Sequence, residues 1–227
     1  MLKNLLKDYQ VHIFIGMFGS GKTEVSMNIA SELKKEHKNV AIADLDIISP
    51  YFRVRDKIKE LNQKDIKVIT PPAKYMHADI PIVPGEIGGY ITNKDYKTVI
   101  DVGGNEDGVK VLGSLKNYID GSKCALYLVI NTRRPFMRTK EYIIKNLQSL
   151  ESSSRLKINY LVVNSNVQNE TTKEIIEEGE NIIEEVSQIT NIPVAFTVVS
   201  KDLEDKINTK FEKFVIQRFF EDYGFLA

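Results

Sequence analysis

A single cysteine, Cys124, is all that the 227 residues contain. It excludes a disulfide within the chain, and a cysteine-only metal or iron–sulfur site unless other subunits bring thiols. Cys124 opens the apolar run Cys124 to Ile130 and is expected in the core. Histidine is also scarce. His12, His37 and His77 lack ligand spacing, so no metal site is assigned to them. An excess of one charge is missing too: 31 basic residues balance 31 acidic ones, which leaves no global field for nucleic acid or an anionic membrane. No apolar run approaches the length that spans a bilayer, and Met1 to Gln10 carries no secretory signal. A cytoplasmic protein is expected. Internal repeats and low-complexity tracts are absent. What remains is 42% hydrophobic and 27% charged, the composition of a globular protein, read as one domain spanning 1–227.

Short β-rich runs alternate with amphipathic segments. Strands are predicted at Val11–Ile15, Val40–Asp44, Lys67–Ile69, Thr98–Asp101, Ala125–Asn131, Tyr160–Asn164 and Ala195–Val199. Leu126 to Ile130 and Leu161 to Val163 are unbroken apolar runs, as in strands covered on both faces. Helices are predicted at Thr23–Glu36, Phe52–Leu61, roughly Val109–Tyr118, Thr139–Leu150, Thr171–Thr190 and Asn208–Tyr223. Such alternation implies an α/β fold, a mainly parallel twisted sheet of about seven strands with helices on both faces. Thr70 to Asn93 breaks the pattern with Pro71-Pro72, Pro81, Pro84-Gly85 and Gly88-Gly89. It is expected to be a loop or small lobe near the site, open to a protein or small-molecule partner, or else a plain surface excursion. Tyr75, Met76 and His77 within it are candidates for partner contact or for core packing.

The chemistry starts at Gly16-Met17-Phe18-Gly19-Ser20-Gly21-Lys22-Thr23, which follows the first strand and opens the first long helix. Glycines in such a loop let successive backbone N–H groups converge on phosphate oxygens, and the helix adds its positive end. Gly16, Gly19, Ser20, Gly21, Lys22 and Thr23 are therefore the nucleotide-binding candidates, with Lys22 reaching the β- and γ-phosphates and the Thr23 hydroxyl on Mg²⁺. Asp101 ends an apolar strand and precedes Val102-Gly103-Gly104. It is the expected metal carboxylate, and Gly104 suits a loop that senses the γ-phosphate. Asp44 and Asp46 follow the second strand at alternate positions; one is expected to orient a water or substrate hydroxyl, and Asp46 also to join the metal. Turn chemistry and a helix cap at Ser49-Pro50 are the structural alternative. Among the arginines, Arg53, Arg55, Arg133, Arg134 and Arg138 are open either as charge clamps or as surface groups, with Arg53 or Arg133 preferred.

Together these motifs resemble the MinD/ParA/CobQ-type group of P-loop ATPases, in the wider class that includes the nitrogenase iron protein and signal-recognition GTPases. The resemblance covers roughly 11–200 and implies the three-layer P-loop sandwich. It also implies that Asn164, at the end of Val163-Asn164, contacts the base, and that the loop near Pro193 in Ile192-Pro193-Val194 flanks it. Met17 stands where that group carries a signature lysine that crosses a homodimer interface. The loop itself is also similar to that of metallochaperone GTPases of urease and hydrogenase maturation. GTPases of that kind read guanine with an acid after an asparagine, whereas Asn164-Ser165-Asn166-Val167 has none at the fourth position, which favours adenine.

The implied function is Mg²⁺-dependent ATP binding and slow hydrolysis, with ATP and Mg²⁺ as cofactors, Lys22, Asp44 and Asp46 as catalytic residues, and Thr23, Asp46 and Asp101 on the metal. The loss of phosphate would drive a conformational switch toward a partner, with a homodimer among the options. A small-molecule phosphotransferase or ATP-dependent ligase, a GTP-using metallochaperone-like NTPase, and a non-catalytic nucleotide switch are the alternatives. No membrane or nucleic-acid partner is expected.

Overall fold

The structure, a computed structural model, describes residues 2–46, 52–71 and 83–220. One sheet contains β1 (Val11–Ile15), β2 (Val40–Leu45), β3 (Lys67–Ile69), β4 (Lys97–Val102), β5 (Cys124–Ile130), β6 (Tyr160–Val163), β7 (Val194–Ser200) and β8 (Lys213–Ile216). Its order is β3-β2-β4-β1-β5-β6-β7-β8, and every neighbouring pair is parallel. The helices are α1 (Leu2–Asp8), α2 (Lys22–Glu36), α3 (Ile58–Gln63), α4 (Ile87–Thr92), α5 (Glu106–Val109), α6 (Val111–Asp120), α7 (Lys140–Ser154) and α8 (Lys173–Thr190).

The strand period of two divides the core into two layers. Ile13 and Ile15 of β1, Ala41 and Ala43 of β2, and Leu126 and Leu128 of β5 face the layer covered by α4, α6, α7 and α8. Phe14, Ile42 and Tyr127 face the opposite layer, where α1, α2 and α3 bury Leu5, Met27, Leu33 and Leu61. Covering both faces removes nearly all polar positions from the central strands, which explains their unbroken apolar runs. The α/β parallel architecture is as the alternation of segments predicts.

Three elements depart from the expectation. The last predicted helix, Asn208–Tyr223, contains β8 instead. Lys213-Phe214-Val215-Ile216 buries Phe214 and Ile216 alternately against β7, so its apolar period is two rather than 3.6. Residues 221–223 of that prediction lie outside the described residues. The proline-rich excursion contains α4, whose Ile87 and Ile91 pack into the core, while Pro72, Tyr75, Met76, His77 and Pro81 lie outside the described residues. At the start of the chain, α1 buries Leu2, Leu5 and Leu6. It ends where the Lys97 ammonium donates to the carbonyls of Leu6, Lys7 and Tyr9, a cationic cap for a helix C-terminus. Phe52–Leu61 resolves into a 3₁₀ turn at Val54–Lys57 followed by α3, and Ser49-Pro50 is outside the described residues.

His12 is fully buried in the layer beneath α1, stacked on Tyr127 and sharing a hydrogen bond of 3.1 Å with its hydroxyl. Burial, with the Lys97 ammonium nearby, pulls the imidazole down to about 3 from 6.5. The folded ring stays neutral while the unfolded one takes up a proton below pH 6.5, so stability is intact above that pH and drains as pH falls toward 3. The slope from this group approaches ~1.4 kcal/mol per pH unit. His12→Phe is expected to flatten the difference between denaturant unfolding at pH 7 and at pH 5; an unchanged difference would contradict it.

Candidate phosphate-binding site

Residues 16–21 link β1 to α2 and fold over the carboxyl edge of the sheet. Gly21 is left-handed at φ 83°, and the Asn164 amide from the end of β6 packs so closely that a side chain at Gly21 would collide with it. That amide donates to the Ser20 carbonyl at 2.6 Å. On the other side Gly104 packs against the Gly16 carbonyl and the Met17–Phe18 peptide, with no room for a Cβ. The loop is therefore gripped from two strand ends. α2 starts without a side-chain cap, and the buried Ser20 hydroxyl has no partner among the described residues. Uncapped helix amides and an orphaned hydroxyl facing one loop fit an anionic ligand rich in acceptor oxygens.

Register brings the acids together. Phe14 of β1 pairs with Asp101 of β4, which pairs with Asp44 of β2. Residues in register on parallel strands project to one face, here the face under α2. Lys22 bridges to Asp46 at 2.9 Å, the Thr23 hydroxyl donates to Asp101 at 2.8 Å, and Ser26 bonds the Lys22 carbonyl at 2.8 Å. All of these groups are buried. Burial works against the Lys22 charge, yet Asp101, Asp46 and Asp44 together hold its pKa above the usual lysine value. Burial pushes the Asp101 carboxyl up to about 7, against the pull of Lys22.

Asp44 is committed elsewhere. Arg55 grips it through Nε at 2.7 Å, Nη2 at 3.0 Å and its backbone N–H at 3.0 Å, and Nη2 also donates to the Asp46 carbonyl. The Asp46 N–H adds a bond of 3.1 Å to Asp44. Arg55, rather than the preferred Arg133, is thus an arginine at the acids. Arg133 pairs with Glu178 of α8, and the Arg53 backbone N–H donates to Asp56.

Of the residues singled out, Gly16, Gly19, Ser20, Gly21, Lys22, Thr23, Asp46, Asp101, Gly104 and Asn164 converge, with Asp44 beside them under Arg55. Pro193 does not converge. It precedes the amino end of β7 and its carbonyl accepts from Leu161 N–H, whereas the loop lies at the carboxyl edge. The ends of a seven-residue strand are about 20 Å apart, and the part of β7 on the loop's edge is Ser200, followed by Lys201–Leu203. In a parallel sheet the residue before a strand lies at the amino edge, so the direction of β7 sets Pro193 away from the loop. Ser26 was missed, although its spacing of three from Thr23 puts both on one helix face. The ends of β5 and β6 are tied by asparagines: Asn131 donates to the Asn166 carbonyl and Asn166 to that of Asn164.

Among the described residues no group of three or more His, Cys, Asp or Glu side chains is arranged to hold a metal by itself. The Thr23 hydroxyl and the Asp101 and Asp46 carboxylates are nonetheless hard oxygen donors, the set that suits Mg²⁺ completed by phosphate oxygens. Among the described residues no helix is long and apolar enough to cross a membrane.

A family model described as the CobQ/CobB/MinD/ParA nucleotide binding domain matches residues 13–213. FtsY from Mycoplasma mycoides is similar with a TM-score of 0.54 at 15% identity, covering 82% of this chain and 58% of that one. FtsY from Thermotoga maritima gives 0.56 at 14%, covering 83% and 61%. FlhF complexed with GTP/Mg(2+) gives 0.50 at 17%, covering 83% and 65%. The chain spans less than two thirds of the length of these structures, and at such identities the likeness is one of fold. Comparison with curated proteins finds no match.

Removing one member of a buried ion pair strands the other. Arg55→Met is expected to lower stability by ~3 kcal/mol or more, measured by denaturant unfolding, with part recovered in the double variant carrying Asp44→Asn. A loss below ~1 kcal/mol, the range of exposed pairs, would show that the pair is not dry.

Proposed function

The chain belongs to the CobQ/CobB/MinD/ParA nucleotide-binding family, and from that premise we propose that it binds ATP with Mg²⁺ and hydrolyses it slowly, coupling phosphate loss to movement of its acidic loops. One observation carries this reading. The Lys22 ammonium and the Thr23 hydroxyl, the two groups that phosphate and metal would claim, are held by Asp46 and Asp101, which leave the ends of β2 and β4. A ligand on the loop therefore has to exchange partners with both strand ends.

Lys22, the loop amides and the first turn of α2 hold the phosphates in this reading, and Thr23, Asp101 and Asp46 hold the metal. Bound magnesium would neutralise charge on the β- and γ-phosphate oxygens. Asp46 serves best to orient the attacking water, because both Asp44 oxygens already accept bonds from Arg55. Gly104, in contact with the Gly16 carbonyl, is placed to move when the γ-phosphate comes or goes. The rate enhancement rests on positioning and charge, with no covalent step on the protein.

The missing acid after Asn164 supports adenine. GTP is the second reading, favoured by the GTP in the FlhF structure. We read 1–227 as one nucleotide-binding domain; of the 70–93 segment offered to a partner, α4 is tied to Gln10 and Thr98 at the amino edge of the sheet, away from the loop. The lone Cys124 thiol, pushed up to about 12 mainly by burial, suits a reducing cytoplasm. With Met17 at the signature position, homodimerisation would have to proceed without a lysine crossing to the partner.

Isothermal titration is expected to show Mg-ATP binding that Lys22→Met weakens at least about tenfold, the loss of a charge-assisted contact. Thr23→Val is expected to weaken binding only when Mg²⁺ is present. Unaltered affinity in Lys22→Met would remove the reading, and competition between ATP and GTP decides the base. Release of inorganic phosphate, rather than its transfer to a metabolite, separates the ATPase from a phosphotransferase.

A further inference from the structure

Arg134, in the turn between β5 and α7, is not called for by the phosphate-loop motif. Its Nε donates to the Gly19 carbonyl at 2.9 Å. The guanidinium lies over Gly19 so closely that a Cβ there would be 2.8 Å from Nε and 3.0 Å from Cζ. The backbone that carries it is braced. Arg134 N–H donates to the Asn131 carbonyl, Met137 N–H to the Arg134 carbonyl, and Arg133 N–H to the Asn131 side chain. The side chain itself is exposed, and its terminal amino groups have no partner among the described residues.

The charge around the loop calls for such a group. Three buried carboxylates, Asp44, Asp46 and Asp101, gather here; Lys22 bridges Asp46 and Arg55 bridges Asp44. Arg55 is occupied by Asp44 and cannot turn to a ligand without stranding it. A magnesium–triphosphate complex is still anionic, so its arrival adds negative charge beside these acids. Met17 contributes no charge, as its thioether accepts from Asn146 at 3.0 Å. Gly19 stands between the stretch gripped by Gly104, residues 16–18, and the stretch gripped by Asn164, Ser20 and Gly21. A cation parked on Gly19 is therefore above the middle of the loop that would wrap the phosphates.

We propose that Arg134 is the second cation of the phosphate site: Nε anchors it to the Gly19 carbonyl and its free amino groups donate to phosphate oxygens of the bound nucleotide. A guanidinium suits this double duty, because its planar fork can hold a carbonyl on one side and phosphate oxygens on another. The inference rests on the reading that loop 16–23 holds a triphosphate. It adds a contact from outside the motif, supplied within the same chain.

The test is fluorescence titration of the full chain with a labelled ATP and Mg²⁺, at low and high salt, alongside melting of the nucleotide-free protein. Arg134→Ala is expected to weaken binding about tenfold or more, the loss of a charge-assisted contact, and to reduce its salt dependence. Arg134→Lys, which keeps the charge without the fork, is expected to lose less. Melting of both nucleotide-free variants should match the unsubstituted protein, since the side chain is exposed. Affinity of Arg134→Ala within twofold of the unsubstituted protein would overturn the proposal, as would a fall in nucleotide-free melting that accounts for the weaker binding. If the unsubstituted protein binds neither ATP nor GTP, the nucleotide reading falls and this inference with it; binding that ignores Arg134 sinks the inference alone.

Discussion

Two carboxylates standing side by side on adjacent strands, away from water, cannot both remain charged without cations against them. Asp44 and Asp101 are such a pair, directly in register on β2 and β4, with Asp46 close behind. The first turn of α2 supplies Lys22 and Thr23 from above, and the turn after the acidic loop supplies Arg55 from the side. Removing either cation would leave buried negative charge that the sheet cannot screen. The crossing of α2 over the ends of β1, β4 and β2 is thus an electrostatic requirement as much as an apolar packing.

In the proposed function, the same requirement is the means of switching. A salt bridge between two buried groups is worth little net of desolvation, so a ligand that offers phosphate oxygens to Lys22 and a metal to the carboxylates has little to displace. Strand ends, loop and helix are already in contact through these bonds. Gly104 touches the Gly16 carbonyl directly, so the loop and the turn after β4 are in steric contact. Asn164 and its asparagine neighbours grip the other end, where the loop turns into α2. The proposed function thus divides the site between Lys22 and Thr23, which exchange partners, and the Asn164 grip, which stays.

Much of this was legible before any coordinates. The phosphate loop with its lysine and threonine follows from its spacing between strand and helix, and the acids were marked by the apolar runs they follow. Apolar runs marked the buried strands because burial on both faces leaves no polar positions to confuse the period. Shorter or weaker patterns were not legible. Lys213 to Ile216 is too brief to separate a period of two from a helical one, and α4 is hidden among glycines that discourage a helix until Ile87 and Ile91 find the core. Pro193 precedes a parallel strand and so lies at the amino edge, a direction that the likeness in chain order left out of account.

Local rules act over a few residues, and what they govern here was determined by the sequence alone: an anion-cradling turn at residues 16–23, a parallel α/β alternation, and acids at the ends of two apolar strands. Pairings between groups far apart in the chain were decided only by the tertiary structure. It joined Arg55 to Asp44, placed Asp46 on Lys22, brought Asn164 over Gly21 from the end of β6, and laid Arg134 on Gly19. Each of those depends on register and strand order, and no stretch of sequence encodes how far one strand slides against its neighbour.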